Sequence, residues 1–100
     1  MQEWTEQELE QKYQEHEDLI IFFYTPLCGT CQVSKKMLTV VEQLLPNLNV
    51  GMCNLNYMPK QAAVYEIESV PCLIVLNNNK VTKKLYAFQS VEYLLNELKE

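Results

Sequence analysis

The sequence predicts a single α/β domain spanning residues 1–100, with a central mixed four-stranded sheet flanked by helices and an extra helix at the N-terminus. Three observations lead there. Two continuous apolar runs, residues 19–24 and 72–76, are rich in β-branched and aromatic side chains, the pattern of strands covered on both faces. The longest helical pattern, residues 28–45, lies between the first run and an alternating segment at 48–54. That arrangement is a βαβ unit, which requires a right-handed crossover and a parallel pair. A turn at Asn77-Asn78-Asn79 joins the second apolar run to residues 80–86, which adds a hairpin. One hundred residues hold one modest core and not two.

Each element has its own signal. Thr5 and Glu8 have capping-box spacing and open a helix to about Glu17, with a narrow apolar stripe of Leu9 and Tyr13 behind Trp4. Thr25-Pro26 ends the first strand. In the long helix Val33, Met37, Val40, Val41, Leu44 and Leu45 recur at spacings of three and four, and Pro46 stops it. Leu48, Val50 and Met52 alternate as in a strand. Pro59 suits the first turn of a short helix reaching about Tyr65. Ser90 caps a last helix carrying Val91, Leu94, Leu95 and Leu98.

Charge excludes several classes of function. The formal net charge is −5, and all eight basic residues are lysines. A nucleic-acid binder needs a positive face and usually arginine, so no nucleic-acid partner is expected. Residues 1–18 carry seven acids against one lysine, which reads as a solvated acidic helix or, more sharply, an acidic docking surface. The longest apolar run has six residues where a membrane span needs about 20. The first residues carry neither the basic nor the apolar segment of a secretory signal. A cytoplasmic protein without a membrane partner is expected. Four cysteines, at 28, 31, 53 and 72, are too few for a secreted disulfide scaffold and divide into one close pair and two singles.

The pair Cys28-Gly29-Thr30-Cys31 sits where the buried strand gives way to the long helix. The first turn of a helix has unpaired N–H groups and a partial positive charge, which stabilise a thiolate and lower the pKa of Cys28. Cys31 follows one helical turn later, near enough to close a small disulfide. The chemistry is thiol–disulfide exchange. Cys28 thiolate attacks a partner disulfide, Cys31 then attacks the Cys28 sulfur, and the partner leaves reduced. The reverse sequence oxidises a partner. Two other readings compete. Half a zinc site needs a second close pair, but Cys53 and Cys72 are isolated and His16 is the only histidine. An inert packed pair leaves the placement of both cysteines at a strand-to-helix turn unexplained.

At these residues the chain resembles the thioredoxin family. The resemblance runs from about Leu19 to Leu98 and rests on three features together. An apolar strand runs into Cys28-Gly29-Thr30-Cys31, Val70-Pro71 precedes the strand at 72–76, and a hairpin and a helix close the chain. The resemblance implies a thioredoxin fold and a catalytic pair of Cys28 and Cys31. It also implies a cis Val70–Pro71 bond, with Pro71 packed against the pair and the Val70 backbone available to an extended substrate. Leu27, Gly29, Thr30 and Ala87 are the further substrate-facing positions. A trans proline starting an edge strand is the plain alternative.

The chain departs from that family in places. Leu27 stands where thioredoxins usually carry tryptophan, and Thr30 where they carry proline. The Thr30 hydroxyl is placed to donate to a sulfur. Phe22 matches the usual buried aspartate, and the lysine that often faces it falls near Met52 or Cys53. The usual proton acceptor for Cys31 is therefore missing, so either water serves directly or resolution is slow. Ala87 matches a common glycine. Cys53 and Cys72 lie in apolar strands and read as small hydrophobes, although a regulatory disulfide or a third redox thiol is conceivable at Cys72, next to Pro71.

The expectation is a monomeric thiol–disulfide oxidoreductase that reduces protein disulfides, without bound cofactor or metal. The resemblance implies regeneration by an NADPH-dependent flavoprotein thioredoxin reductase. The rival is a thioredoxin-fold binding module with little turnover, which Phe22 and Leu27 favour and the intact cysteine pair opposes. A glutathione-using variant lacks a readable basic groove for the glutathione carboxylates.

Overall fold

The computed structural model describes residues 1–99. Helices α1 (Glu6–Gln14), α2 (Gly29–Leu44), α3 (Pro59–Val64) and α4 (Val91–Leu98) surround a sheet of strands β1 (Gln2–Glu3), β2 (Leu19–Tyr24), β3 (Val50–Asn54), β4 (Cys72–Asn77) and β5 (Lys80–Leu85). The strand order is β1-β3-β2-β4-β5. Strands β1, β2 and β3 run parallel, and β4 is antiparallel to both β2 and β5. The four expected strands are therefore joined by a fifth, the two-residue β1 at the edge. It pairs Gln2 with Gly51 and Glu3 with Met52.

Alternation along the strands divides the core into two layers. Ile20, Phe22, Val50, Met52 and Leu73 pack with Cys31, Leu38 and Val41 of α2 and with Leu94 and Leu98 of α4. Leu19, Ile21, Phe23, Cys53, Cys72, Ile74 and Leu76 pack on the other face with Leu9 of α1 and Met58, the N-cap of α3. Burial on both faces is why the runs in β2 and β4 are continuously apolar. Trp4 fastens the N-terminus to this second layer. Its backbone N–H donates to Met52 O at 2.9 Å, and its ring lies so close over Gly51 that a Cβ there would come 2.0 Å from Trp4 Cδ2.

Local chemistry sets the boundaries. Thr5 and Glu8 form the capping box reciprocally, each side chain accepting from the other's backbone N–H at 3.1 Å. Helix α1 ends at Gln14, three residues short of the expected Glu17, because His16 takes a left-handed φ of 57°. The N–H groups of His16 and Glu17 donate to Tyr13 O and Lys12 O, closing a Schellman motif. The same motif ends α3, where Glu66 has φ 52° and Glu66 and Ile67 donate to Ala63 O and Ala62 O. Asn78 and Asn79, both with positive φ, make the turn of the β4–β5 hairpin. Ser90 Oγ caps α4 by accepting from the N–H of Tyr93.

Helix α2 differs from its expected register. It buries Cys31, Ser34, Leu38 and Val41, whereas Val33, Val40 and Leu44 are exposed. Of the other expected apolar positions, Met37 and Leu45 pack against the core beside Val41, so the expected row faces the sheet in part.

Candidate active site

Strand β2 ends at Tyr24, and the chain turns through Thr25 and Pro26, where the Cys28 N–H donates to Thr25 O at 3.2 Å. Cys28 is the N-cap of α2, with extended backbone, and its sulfur takes the place of the usual serine or aspartate oxygen. The backbone N–H of Cys31 donates to Cys28 Sγ at 3.1 Å. Cys28 and Cys31 are joined as a disulfide, with their Cα atoms 5.2 Å apart. The disulfide sulfur carries no proton, so in the contact between Thr30 Oγ1 and Cys28 Sγ, at 3.3 Å, the hydroxyl is the donor. One sulfur thus receives two donors at a helix N-terminus, an arrangement that favours negative charge on it once the bond is reduced.

The two sulfurs differ in access. Cys28 is half-buried at the surface, whereas Cys31 is only 3% exposed. An incoming disulfide therefore meets Cys28 first, and Cys31 is held behind it. Val70 O lies 3.9 Å from Cys28 Sγ, and the Val70–Pro71 bond is cis. Val70 precedes β4 and has no ladder partner, so its backbone borders Cys28 Sγ without being committed to the sheet.

The structure brings Cys28, Thr30, Cys31 and Val70 together by direct contacts. Leu27 is 100% exposed beside them. A Cβ on Gly29 would meet no atom within 4 Å, so nothing in the fold demands glycine there, and its smallness leaves the surface beside Cys28 flat. Pro71 is half-buried between Val70 and the first residue of β4. Ala87 is exposed in the β5–α4 connection, and no hydrogen bond links it to the pair among the described residues. Its neighbour Phe88 is buried edge-on against Phe22, with ring centroids 5.9 Å apart.

Phe22 lies opposite Met52 in the β2–β3 ladder, so the layer beneath the pair is apolar. A cavity of about 130 Å³ reaches this layer beside Cys31, lined by Phe22, Tyr24, Thr25, Pro26, Cys31, Gln32, Lys35 and Met52. Sequence reasoning named the missing carboxylate but not this cavity or Lys35. The i, i+4 spacing from Cys31 was the available signal.

Cys53 and Cys72 are free thiols on the opposite face of the sheet from the pair. Both are in register with Phe23, one on each side. Two strand spacings of about 4.8 Å separate them, too far for a disulfide. Burial first, then the charges of Glu3 and Glu8, pushes the Cys53 thiol up to about 12. Burial pushes Cys72 up to about 11, against the opposing pull of Lys84 and Tyr86. Of the readings of Cys72, this environment supports the small hydrophobe. Among the described residues no group of three metal-ligating side chains gathers, and no helix is long and apolar enough to cross a membrane.

Comparison with known proteins agrees with this geometry. The family model described as Thioredoxin matches residues 1–100. The thioredoxin-like protein YusE of Bacillus subtilis (strain 168) is 43% identical over 100 residues, covering all of this chain and 92% of that protein. A thioredoxin of Chlamydia pneumoniae is 26% identical over 78 residues, covering 78% of this chain and 76% of its own. Among solved structures, the oxidized mitochondrial thioredoxin 3 of Saccharomyces cerevisiae superposes with a TM-score of 0.76 at 20% identity, over 97% of this chain and 90% of that one. A mutant thioredoxin of Halobacterium salinarum NRC-1 gives 0.78 at 18% identity, over 98% and 86%.

Proposed function

This chain belongs to the thioredoxin family, and from that premise we propose that it works as a reductant of protein disulfides through a reversible Cys28–Cys31 couple. It is a thiol–disulfide oxidoreductase. The observation that carries the reading is the pair of donors on Cys28 Sγ, from the Cys31 N–H and the Thr30 hydroxyl, with a buried partner sulfur one turn behind. The first feature ionises the attacking sulfur, and the second makes displacement of the client from it intramolecular.

Direction and setting are the finer part of the proposal. A dithiol reductant works where thiols are kept reduced, which points to the cytoplasm. Reducing equivalents come from NADPH through a flavoprotein thioredoxin reductase, as family membership implies. The protein acts as a monomer and as one domain over residues 1–100. The client lies across Leu27, Gly29, Thr30, Val70, Pro71 and Ala87, and its backbone pairs with Val70. The exposure of Leu27 and the uncommitted Val70 backbone support this path, which selects an apolar side chain next to the attacked disulfide.

A protein-disulfide reduction assay tests the activity, with Cys28→Ser as control. Turnover that vanishes in the variant supports the enzyme. Partner binding without turnover in the unmodified chain supports the binding module. The reduction potential tests direction. A value near about −270 mV fits a reductant, and one near about −120 mV marks an oxidant.

A further inference from the structure

We propose that Lys35 is the positioning charge for the resolving thiol, its ammonium stabilising the Cys31 thiolate across the small cavity that both residues line. The inference rests on the oxidoreductase reading and names the group that supports its second step.

The need arises from burial. Cys31 is nearly inaccessible, and its thiol must lose a proton before it attacks. Phe22, Met52 and the ring of Tyr24 on the cavity wall disfavour a thiolate at Cys31. Among the described residues no carboxylate lines the cavity to take the proton. Strand β3 contributes only Met52, and β2 contributes Tyr24 as its one titratable group. Tyr24 is already engaged, since its hydroxyl donates to Glu3 Oε1 at 2.7 Å, and burial together with that bond raises its pKa. From α2 come the neutral Gln32 and the cationic Lys35, with Cys28 at the N-cap.

Among the described residues Lys35 is thus the only charged side chain on the cavity wall, and it makes no ion pair with any of them. It follows Cys31 by four residues on the same helix, a spacing that brings Cβ atoms within about 6 Å. The cavity of about 130 Å³ has room for a few waters, so the proton leaves to solvent while the ammonium holds the charge left behind. Lys35 is exposed, and solvent limits the effect to several-fold and at most about tenfold.

The step balances as follows. Cys31 thiolate attacks Cys28 Sγ in the mixed disulfide, and a Cys31–Cys28 bond forms. The bond from Cys28 to the client sulfur breaks, and the client leaves with the bonding pair as a thiolate that solvent protonates. Over both steps the client gains two electrons and the cysteine pair loses them.

The test separates the two steps with a small aromatic disulfide that releases a coloured thiolate on each attack. The first equivalent reports Cys28, and the second reports resolution by Cys31. In Lys35→Met the second release slows several-fold, its pH midpoint moves upward, and the first release changes less. Lys35→Arg, which keeps the charge, restores the second phase. An unchanged second phase in Lys35→Met overturns the inference, as does an arginine variant as slow as the methionine one. Absence of any release from the unmodified protein overturns the oxidoreductase reading itself.

Discussion

The backbone N–H of Cys31 points at Cys28 Sγ from 3.1 Å, so the residue proposed to displace the client from Cys28 also caps and polarises the sulfur proposed to attack. Activation and resolution are thereby built into one helical turn. The spacing of two residues follows from this. It lets the third residue of the helix, counting from its first, supply both an amide for the N-cap sulfur and a second sulfur within bonding reach.

The division of labour predicts opposite outcomes for two serine variants. Cys31→Ser is expected to accumulate a client joined to Cys28, because nothing displaces it. Cys28→Ser is expected to form no such adduct. Mass spectrometry of the unreduced mixture checks both, and an adduct on Cys31 in the second variant would reverse the assigned roles.

Thr30 supplies the side-chain donor to Cys28. Thr30→Val keeps the shape and removes the hydroxyl, so the Cys28 thiolate loses one hydrogen bond. Such bonds to charged groups are worth about 1.5–3 kcal/mol when dry, and exposure at this site reduces that, so a rise of up to about one pKa unit is expected. Alkylation rate against pH measures it. An unshifted profile would show that the hydroxyl leaves the sulfur in the reduced protein.

Gly51 is required by packing. A Cβ there would come 2.0–2.2 Å from three atoms of the Trp4 ring, which is itself buried between the strand and α1. Gly51→Ala must displace the indole and is expected to cost at least about 1–3 kcal/mol, the range of overpacked cores. Denaturant midpoints check this, and an unchanged midpoint would mean that the N-terminal segment is not held by that contact.

The buried thiols predict an alkaline weakness. With folded values raised to about 12 for Cys53 and about 11 for Cys72, the native state keeps both protonated while the unfolded chain loses its protons near about pH 9. The unfolded state then binds fewer protons, so stability is intact below about pH 9 and falls as pH rises toward 11–12. Replacing both with alanine should flatten that part of the stability curve relative to neutral pH. An equally steep decline in the double variant would place the weakness elsewhere.

Much of this was legible in the residues. Unbroken apolar runs marked β2 and β4 because they are covered on both faces, and the signals at Thr5, Pro59, Asn78 and Ser90 each appear as the expected cap or turn. Strand β1 was not legible, because Gln2 and Glu3 are exposed polar residues that join β3 by backbone pairing and bury no apolar side chain. The C-terminus of α1 was hidden because histidine is a rare left-handed cap. In α2 only part of the expected apolar row faces the core, Val41 with Met37 and Leu45, and the rest of the buried face is made by Leu38 and by Cys31 and Ser34, which apolar periodicity does not mark. At the site, the pair and Val70–Pro71 were readable. The cavity beside Cys31 was not, because it arises from three strand and helix ends meeting in space.

The most direct test is a titration of the reduced protein that follows ionisation of Cys28 alone, with Cys31→Ser as the background. Two donors at a helix N-terminus predict a midpoint clearly below the free-cysteine value of about 8.5. A midpoint at or above that value would contradict the account.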